Sequence, residues 1–315
     1  MRFPEHPARW NVEQLRGELA RGDAFLWSLE RFRERATERL GVPSVAGLSE
    51  VPASARRLVV LGGGAMIDEA KVWRRETRPD LWLAALPSLF GSGAEASPVA
   101  VLNRDGVKKI EVDERLLPDV RVVWPELLED LPPARLRAAA GDALSHALEG
   151  FLSPLADEEL RGSLAEILAG LLALPLAPDP DWFEASAAAC AAQSRAGVGL
   201  VHGIAHQLEG RLAGERDGAG FAFGHAKLCS LFLAPVLAFD RAHSPKLAEL
   251  AVLHGIDLAV LETRAWQLFD GEDYSRCLPA LEANWRAVLL DPCTRTNSVL
   301  VRPQHLAFFT EERFR

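Results

Sequence analysis

Cysteine is rare in this sequence: Cys190, Cys229, Cys277 and Cys293 are the whole set of four in 315 residues. They form no C-x-x-C pair and lack the Cys/His spacing of a zinc ribbon, and a chain of this length needs no disulfide staples. They read as core thiols. Long apolar runs are also absent, and nothing approaches the ~20 consecutive apolar residues of a membrane span. The opening MRFPEHPARW carries Pro, Glu and Arg where a secretory leader would place its apolar core. Positive charge is in deficit, with a net charge of −9 and a pI near 5.5. That excludes nucleic acid and anionic membrane surfaces as main partners, because both demand a basic face. Of the 35 Lys and Arg residues only five are lysine, a bias without functional meaning here. What remains is a cytoplasmic protein with a small-molecule or peptide partner. At 49% hydrophobic and 25% charged, it is long enough to bury the core of one large domain or two.

Residues 11–40 carry Leu15, Leu19, Phe25, Leu29 and Phe32 at mostly helical spacing, broken near Gly22, and read as two helices. The run RRLVVLGGG at 56–64 is a strand that stops at three glycines, and IDEAKVWRRE resumes as helix. A further strand is expected at 81–86, a strand pair at 100–103 and 108–113, and another strand at 120–124. Alternating strand and helix implies an open α/β sheet. After LPPARL the chain turns to Ala/Leu-rich segments with few β-branched runs, which predicts helices throughout. The expected architecture is an α/β domain over 1–134 followed by an all-α metal-binding domain over 135–315.

Chemistry-bearing residues concentrate in the second part. GLVHGIAHQLEG puts His202 and His206 four positions apart, and GDALSHALEG does the same with Asp142 and His146. Residues i and i+4 share a helical face. A carboxylate and imidazoles on facing helices make the donor set of a divalent metal site. Taken singly, Asp142 also suits a helix N-terminus, and each histidine also suits a satisfied core position. The two pairs together, with His225 downstream, favour a metal. In the first part, Gly62, Gly63 and Gly64 lie between strand and helix, where backbone N–H groups can approach a pyrophosphate. An ordinary tight turn fits that pattern equally. PSLFGSGAE at 87–95 supplies a second small-residue loop at a strand end, where α/β sheets place ligands.

These segments resemble the iron-containing alcohol dehydrogenase family, within the superfamily shared with glycerol dehydrogenase and dehydroquinate synthase. GGGAMIDEAK is similar to its glycine-rich cofactor loop, PSLFGSGAE to its second cofactor loop, LPPARLRAAAGDALSHALEG to its first metal-ligand helix and GLVHGIAHQLEG to its second. The resemblance runs from residue 58 to about 240, in the family's order. It implies a metal, Fe(II) or Zn(II), ligated by Asp142, His146, His202 and His225, with His206 beside it as a proton-relay or substrate-contact group. It also implies NAD or NADP at Gly62, Gly63, Gly64, Asp68, Lys71, Ser88 and Ser92.

This sequence departs from the family at Ala65, where a serine is usual, at Leu89 and Phe90 in the second loop, and at Trp124, where an aspartate is usual. His225 is flanked by Gly224 and Ala226 and lies further from His202 than in the family. About 55 residues precede the strand at 58 where the family has roughly ninety, and here they read as helices, so the family resemblance implies that the domain over 1–134 is a truncated Rossmann-like open sheet. The resemblance therefore implies a metal-dependent dehydrogenase that exchanges hydride between an alcohol or carbonyl and a nicotinamide, with a large or peptide-borne substrate as one option. The shortened cofactor domain raises an alternative: an accessory member that keeps the metal site but needs a partner protein for cofactor binding and activity. Homo-oligomerisation, substrate and the NAD/NADP choice stay open.

Overall fold

The computed structural model describes residues 7–104, 107–129 and 131–314. Residues 1–6, which open the stretch read above as lacking a leader, lie outside them. The chain forms two compact units, Met1–Asp130 and Leu131–Arg315.

The first unit runs β1 (Ala8–Asn11), α1 (Val12–Leu19), β2 (Ala24–Ser28), α2 (Glu30–Leu40), β3 (Ser44–Val45), β4 (Arg57–Gly62), α3 (Gly64–Thr77) and β5 (Trp82–Pro87). The expected strand pair follows as an antiparallel hairpin, β6 (Val99–Arg104) with β7 (Val107–Val112), and then β8 (Val120–Val123). Six strands make one parallel sheet in the order β1-β8-β5-β4-β2-β3. β4 shows why its sequence is a continuous apolar run. Leu58 and Val60 pack with Ile67 and Ala70 of α3, while Val59 and Leu61 pack with Leu15 and Leu19 of α1 and Phe32 and Ala36 of α2. A strand covered on both faces needs apolar residues at both parities. Each such side chain contributes about 1.5–3 kcal/mol on burial.

The N-terminal expectation needs correction. The two expected helices are present, but the segment between them is a strand, and with β1 and β3 three described strands precede β4, which runs into the glycine loop. The chain turns through Gly22 (φ 89°) and Asp23 (φ 51°) into β2. There Ala24, Leu26 and Ser28 are buried while Phe25 and Trp27 are half-buried, the period-two signature of a strand. The helical spacing of Phe25, Leu29 and Phe32 is coincidental: Phe25 belongs to β2, and Leu29 caps α2. α1 starts at a capping box, in which Asn11 and Gln14 each accept the other's backbone N–H at 2.9 Å. With those strands in the sheet, the reason for expecting a partner protein to complete it is gone.

The second unit is a succession of helices: α4 (Pro133–Leu152), α5 (Glu158–Ala173), α6 (Asp181–Gln193), α7 (Leu200–Glu209), α8 (His225–His243), α9 (Lys246–His254), α10 (Leu258–Leu268), α11 (Gly271–Leu290) and α12 (Leu306–Phe309). α4 opens with Pro133, whose missing N–H costs nothing in a first turn. It is buried on all sides from Ala138 to Leu152, which makes it the central helix of this unit. α8 presses directly on it: a Cβ on Gly141 would lie 2.5 Å from the Ser230 Cα. Only glycine permits that approach, and the neighbouring residue is Asp142. No described helix is long and apolar enough to cross a membrane.

Candidate metal centre

In the first unit the two loops are joined to each other. A Cβ on Gly64 would meet the Ser92 Oγ at 2.5 Å, so the glycine turn and the second loop pack at backbone distance. Lys71 is fully buried, and its ammonium donates to the Asp68 carboxylate at 2.8 Å, to the Ala94 carbonyl at 2.9 Å and to the Val99 carbonyl at 2.6 Å. Those three bonds use every donor an ammonium has. Asp68 in turn accepts from the Val101 N–H at 2.9 Å. In this structure Asp68 and Lys71 therefore clamp the loops together. Ser88 is buried, and its N–H donates to the Gly62 carbonyl. Gly63 and Gly64 are half-buried and Ala65 is exposed, leaving the first turn of α3 as the open part of the loop.

In the second unit, three helices bring Asp142, His202 and His225 into one close group, with His146 beside Asp142. Asp142 and His146 come from α4, His202 from α7, and His225 is the first residue of α8. Asp142 Oδ1 lies 3.6 Å from His202 Nε2, 3.7 Å from His225 Nε2 and 3.9 Å from His146 Nδ1. Donors bound to one tetrahedral ion at 2.0–2.2 Å sit about 3.3–3.6 Å from one another, so this spacing suits an ion between them.

The lone pairs give a second test. Glu149, two turns beyond Asp142 on α4, accepts from the His202 Nδ1 at 2.6 Å and from the Val201 N–H at 2.5 Å. With the Nδ1 proton assigned to the contact with Glu149, His202 Nε2 carries a lone pair. Burial, with His206 nearby, drives the His202 pKa down to about 3, so the ring is neutral. Its Nε2 and the Asp142 Oδ1 are both buried with no hydrogen-bond partner among the described residues. Two facing acceptors in a dry interior cost about 1–3 kcal/mol each if left unsatisfied. Burial raises the Asp142 pKa, against the opposing pull of His146. A cation between these groups satisfies both lone pairs and supplies the missing charge, so the residues present fit a divalent metal.

His225 is seated by an ionic cluster. In the connection before α8, Asp217 Oδ1 accepts from the N–H groups of Ala219 and Phe221, and Lys227 on α8 reaches Asp273 on α11 at 2.6 Å. His206 sits one turn after His202, its ring stacked on His225 at 5.2 Å between centroids. Its Nδ1 is 3.8 Å from Asp291 Oδ2 and 3.6 Å from Cys293 Sγ. Burial works against ionising Asp291, but His206, the Gln207 amide and the Cys293 N–H outweigh it and hold its pKa low.

Sequence reasoning missed Glu149, Cys229, Asp291 and Cys293. Glu149 was legible at i+7 from Asp142, a same-face spacing in GDALSHALEG. Cys229 was legible at i+4 from His225; it lies in one close group with Asp142, His202 and His225, their ligand atoms all within 4.8 Å of one another. Asp291 and Cys293 gave no signal, because only tertiary folding brings them to His206.

No family sequence model matches the chain. It is 30% identical over 296 residues to the 1-propanol dehydrogenase of Salmonella typhimurium, an alignment covering 80% of this chain and 76% of that protein. In fold it is similar to an iron-containing alcohol dehydrogenase from Thermococcus thioreducens, with a TM-score of 0.74, 20% identity and 98% of each chain covered. It is equally similar to a sulfoacetaldehyde reductase from Bifidobacterium kashiwanohense solved with NAD+, with a TM-score of 0.74, 18% identity and 97% of each chain covered. With this relative's identity and coverage, and a parallel sheet followed by helices that carry Asp142, His202 and His225, the chain belongs to the iron-containing alcohol dehydrogenase family of oxidoreductases.

Proposed function

We propose that this protein is a metal-dependent dehydrogenase that oxidises a small alcohol, or reduces the corresponding aldehyde, by hydride exchange with NAD or NADP. Asp142, His146, His202 and His225 hold Fe(II) or Zn(II) in this reading, and Gly62, Gly63, Gly64, Ser88 and Ser92 form the coenzyme loops. The observation that carries it is the single carboxylate oxygen of Asp142 facing three imidazole nitrogens at 3.6–3.9 Å. The related 1-propanol dehydrogenase makes short primary alcohols the first substrates to try. Nothing in the described residues marks a peptide-borne substrate.

When bound, the divalent ion supplies Lewis acidity toward a substrate oxygen and the nicotinamide supplies the hydride acceptor. The rest falls to side chains of this chain. Glu149 fixes the tautomer and orientation of His202 through Nδ1. Asp291 faces His206 Nδ1 at 3.8 Å and favours the proton there. His206 Nε2 is thereby left able to accept the proton that leaves the alcohol hydroxyl. Buried Leu200, Val201, Ile204 and Ala205 pack into the apolar core of this unit and so anchor the helix that carries both histidines.

The test is metal analysis of the purified protein, followed by coenzyme reduction assays with a series of primary alcohols and both NAD and NADP. Bound iron or zinc together with alcohol-dependent reduction of either coenzyme supports the reading. Metal-loaded protein that reduces neither coenzyme with any alcohol, and oxidises neither reduced form with any aldehyde, overturns it.

A further inference from the structure

We propose that the Cys229 thiolate is itself a ligand of the divalent ion, so that the donor set includes Asp142, His202, His225 and Cys229, and that this soft donor biases the site toward Zn(II) over Fe(II). The inference rests on the metal-site reading above. Cys229 stands one turn after His225 on α8 and therefore shares its face. It is fully buried, and its Sγ lies 3.6 Å from His225 Nε2. One ion with a metal–sulfur bond of 2.3 Å and a metal–nitrogen bond near 2.05 Å sets sulfur and nitrogen about 3.6 Å apart in a tetrahedral arrangement. The four ligand atoms are mutually close, all within 4.8 Å.

The contrast with another buried cysteine is informative. Cys277 packs in an apolar cluster with Tyr274, Leu278 and Leu281. Cys229 also belongs to that cluster, but its sulfur lies in one close group with the Asp142 carboxylate and the His202 and His225 imidazoles, where Asp142 Oδ1 and His202 Nε2 have no hydrogen-bond partner among the described residues. Metal binding replaces the S–H bond by an S–metal bond, and the displaced proton leaves to solvent. Carboxylate and imidazole accommodate iron and zinc alike, whereas a thiolate added to them favours the softer zinc site.

The test is the absorption spectrum of the protein loaded with Co(II) in place of its native ion. The expected result is a sulfur-to-cobalt charge-transfer band in the near ultraviolet that is lost in Cys229→Ser and retained in Cys293→Ser. If Cys229→Ser does not fold, the wild-type band and its retention in Cys293→Ser decide the matter. Cobalt bound with visible d–d bands but no charge-transfer band overturns the thiolate and leaves the metal reading standing. A wild-type protein that takes up neither cobalt nor zinc overturns both. In anaerobic competition between equal Zn(II) and Fe(II), Cys229→Ser shifts the bound ratio toward iron; an unchanged ratio overturns the zinc bias.

Discussion

Glu149 Oε2 on α4 lies 2.6 Å from His202 Nδ1 on α7, and neither side chain meets solvent. The contact leaves one nitrogen of His202 free and aims it at Asp142. Glu149→Gln keeps the shape but offers either an amide N–H or a weaker acceptor. The expected outcome is a 10–100-fold loss of metal affinity, the usual effect of removing a group that orients a ligand histidine. Competition with a chelator measures it, and unchanged affinity would show that His202 is oriented by packing alone.

The two histidines of α7 separate by function. His202→Ala should strip the ion, because Nε2 is one of the converging donors. His206→Ala should leave it bound and lower turnover by about 10²–10⁴-fold, the range for losing a proton-transfer group. Metal content and kcat for both variants decide this, and equal metal loss would refute the division.

Much of this was legible in the sequence, and the rest was hidden for physical reasons. Asp142 with His146, and His202 with His206, were legible as same-face pairs because i, i+4 spacing survives folding unchanged. β4 and β5 did so because a doubly covered strand must be apolar throughout. β2 escaped because five residues with two large aromatics fit a helical stripe as well as a strand, and only the left-handed turn at Gly22 and Asp23 decides between them. Lys71 was expected at the coenzyme by likeness of motif, but its burial and three internal bonds depend on the loop at Ala94 and strand β6, which no local pattern encodes. Asp291 reaches His206 from a distant segment and has no local sequence counterpart.

Gly141→Ala tests the approach of α4 and α8. The new Cβ falls 2.5 Å from the Ser230 Cα, and backbone cannot yield as a flexible side chain would. A destabilisation of about 1–3 kcal/mol is expected from overpacking. Metal affinity should weaken with it, since Asp142 and His225 ride on the helices being forced apart. Urea denaturation together with metal titration checks both effects; full stability with full affinity would show that the helices can slide.

Gly64→Ala should clash with Ser92, whose Oγ and Cβ lie 2.5 and 2.8 Å from the added atom. Nicotinamide affinity should fall, and Ser92→Gly in the same chain should restore much of it. Calorimetric titration with NAD and NADP gives the comparison. A single variant that binds as well as wild type would mean that the contact between the loops does not shape the coenzyme site.

Asp240 supplies a pH dependence. Burial pushes its pKa up to about 7, while hydrogen bonding from Asn297 works in the opposite direction. A carboxyl whose folded pKa is raised stabilises the fold while protonated. Its contribution is therefore complete below the unfolded pKa near 4 and lost as pH rises through about 7. Asp240→Asn retains an acceptor for Asn297 without that dependence. In metal-free protein, the variant should gain on wild type between pH 5 and pH 8, with an upper bound of about 3 kcal/mol for the two pH units between 5 and the folded pKa. Denaturant midpoints at the two values test it, and parallel behaviour of the two proteins would contradict it.

The most direct measurement is anomalous diffraction from crystals of metal-loaded protein, recorded on either side of the absorption edge of the bound metal. The expected result is one peak in the second unit within about 2.0–2.2 Å of Asp142 Oδ1 and of Nε2 of His202 and His225. A peak elsewhere, or none among these residues in fully loaded protein, would contradict a metal centre built on Asp142.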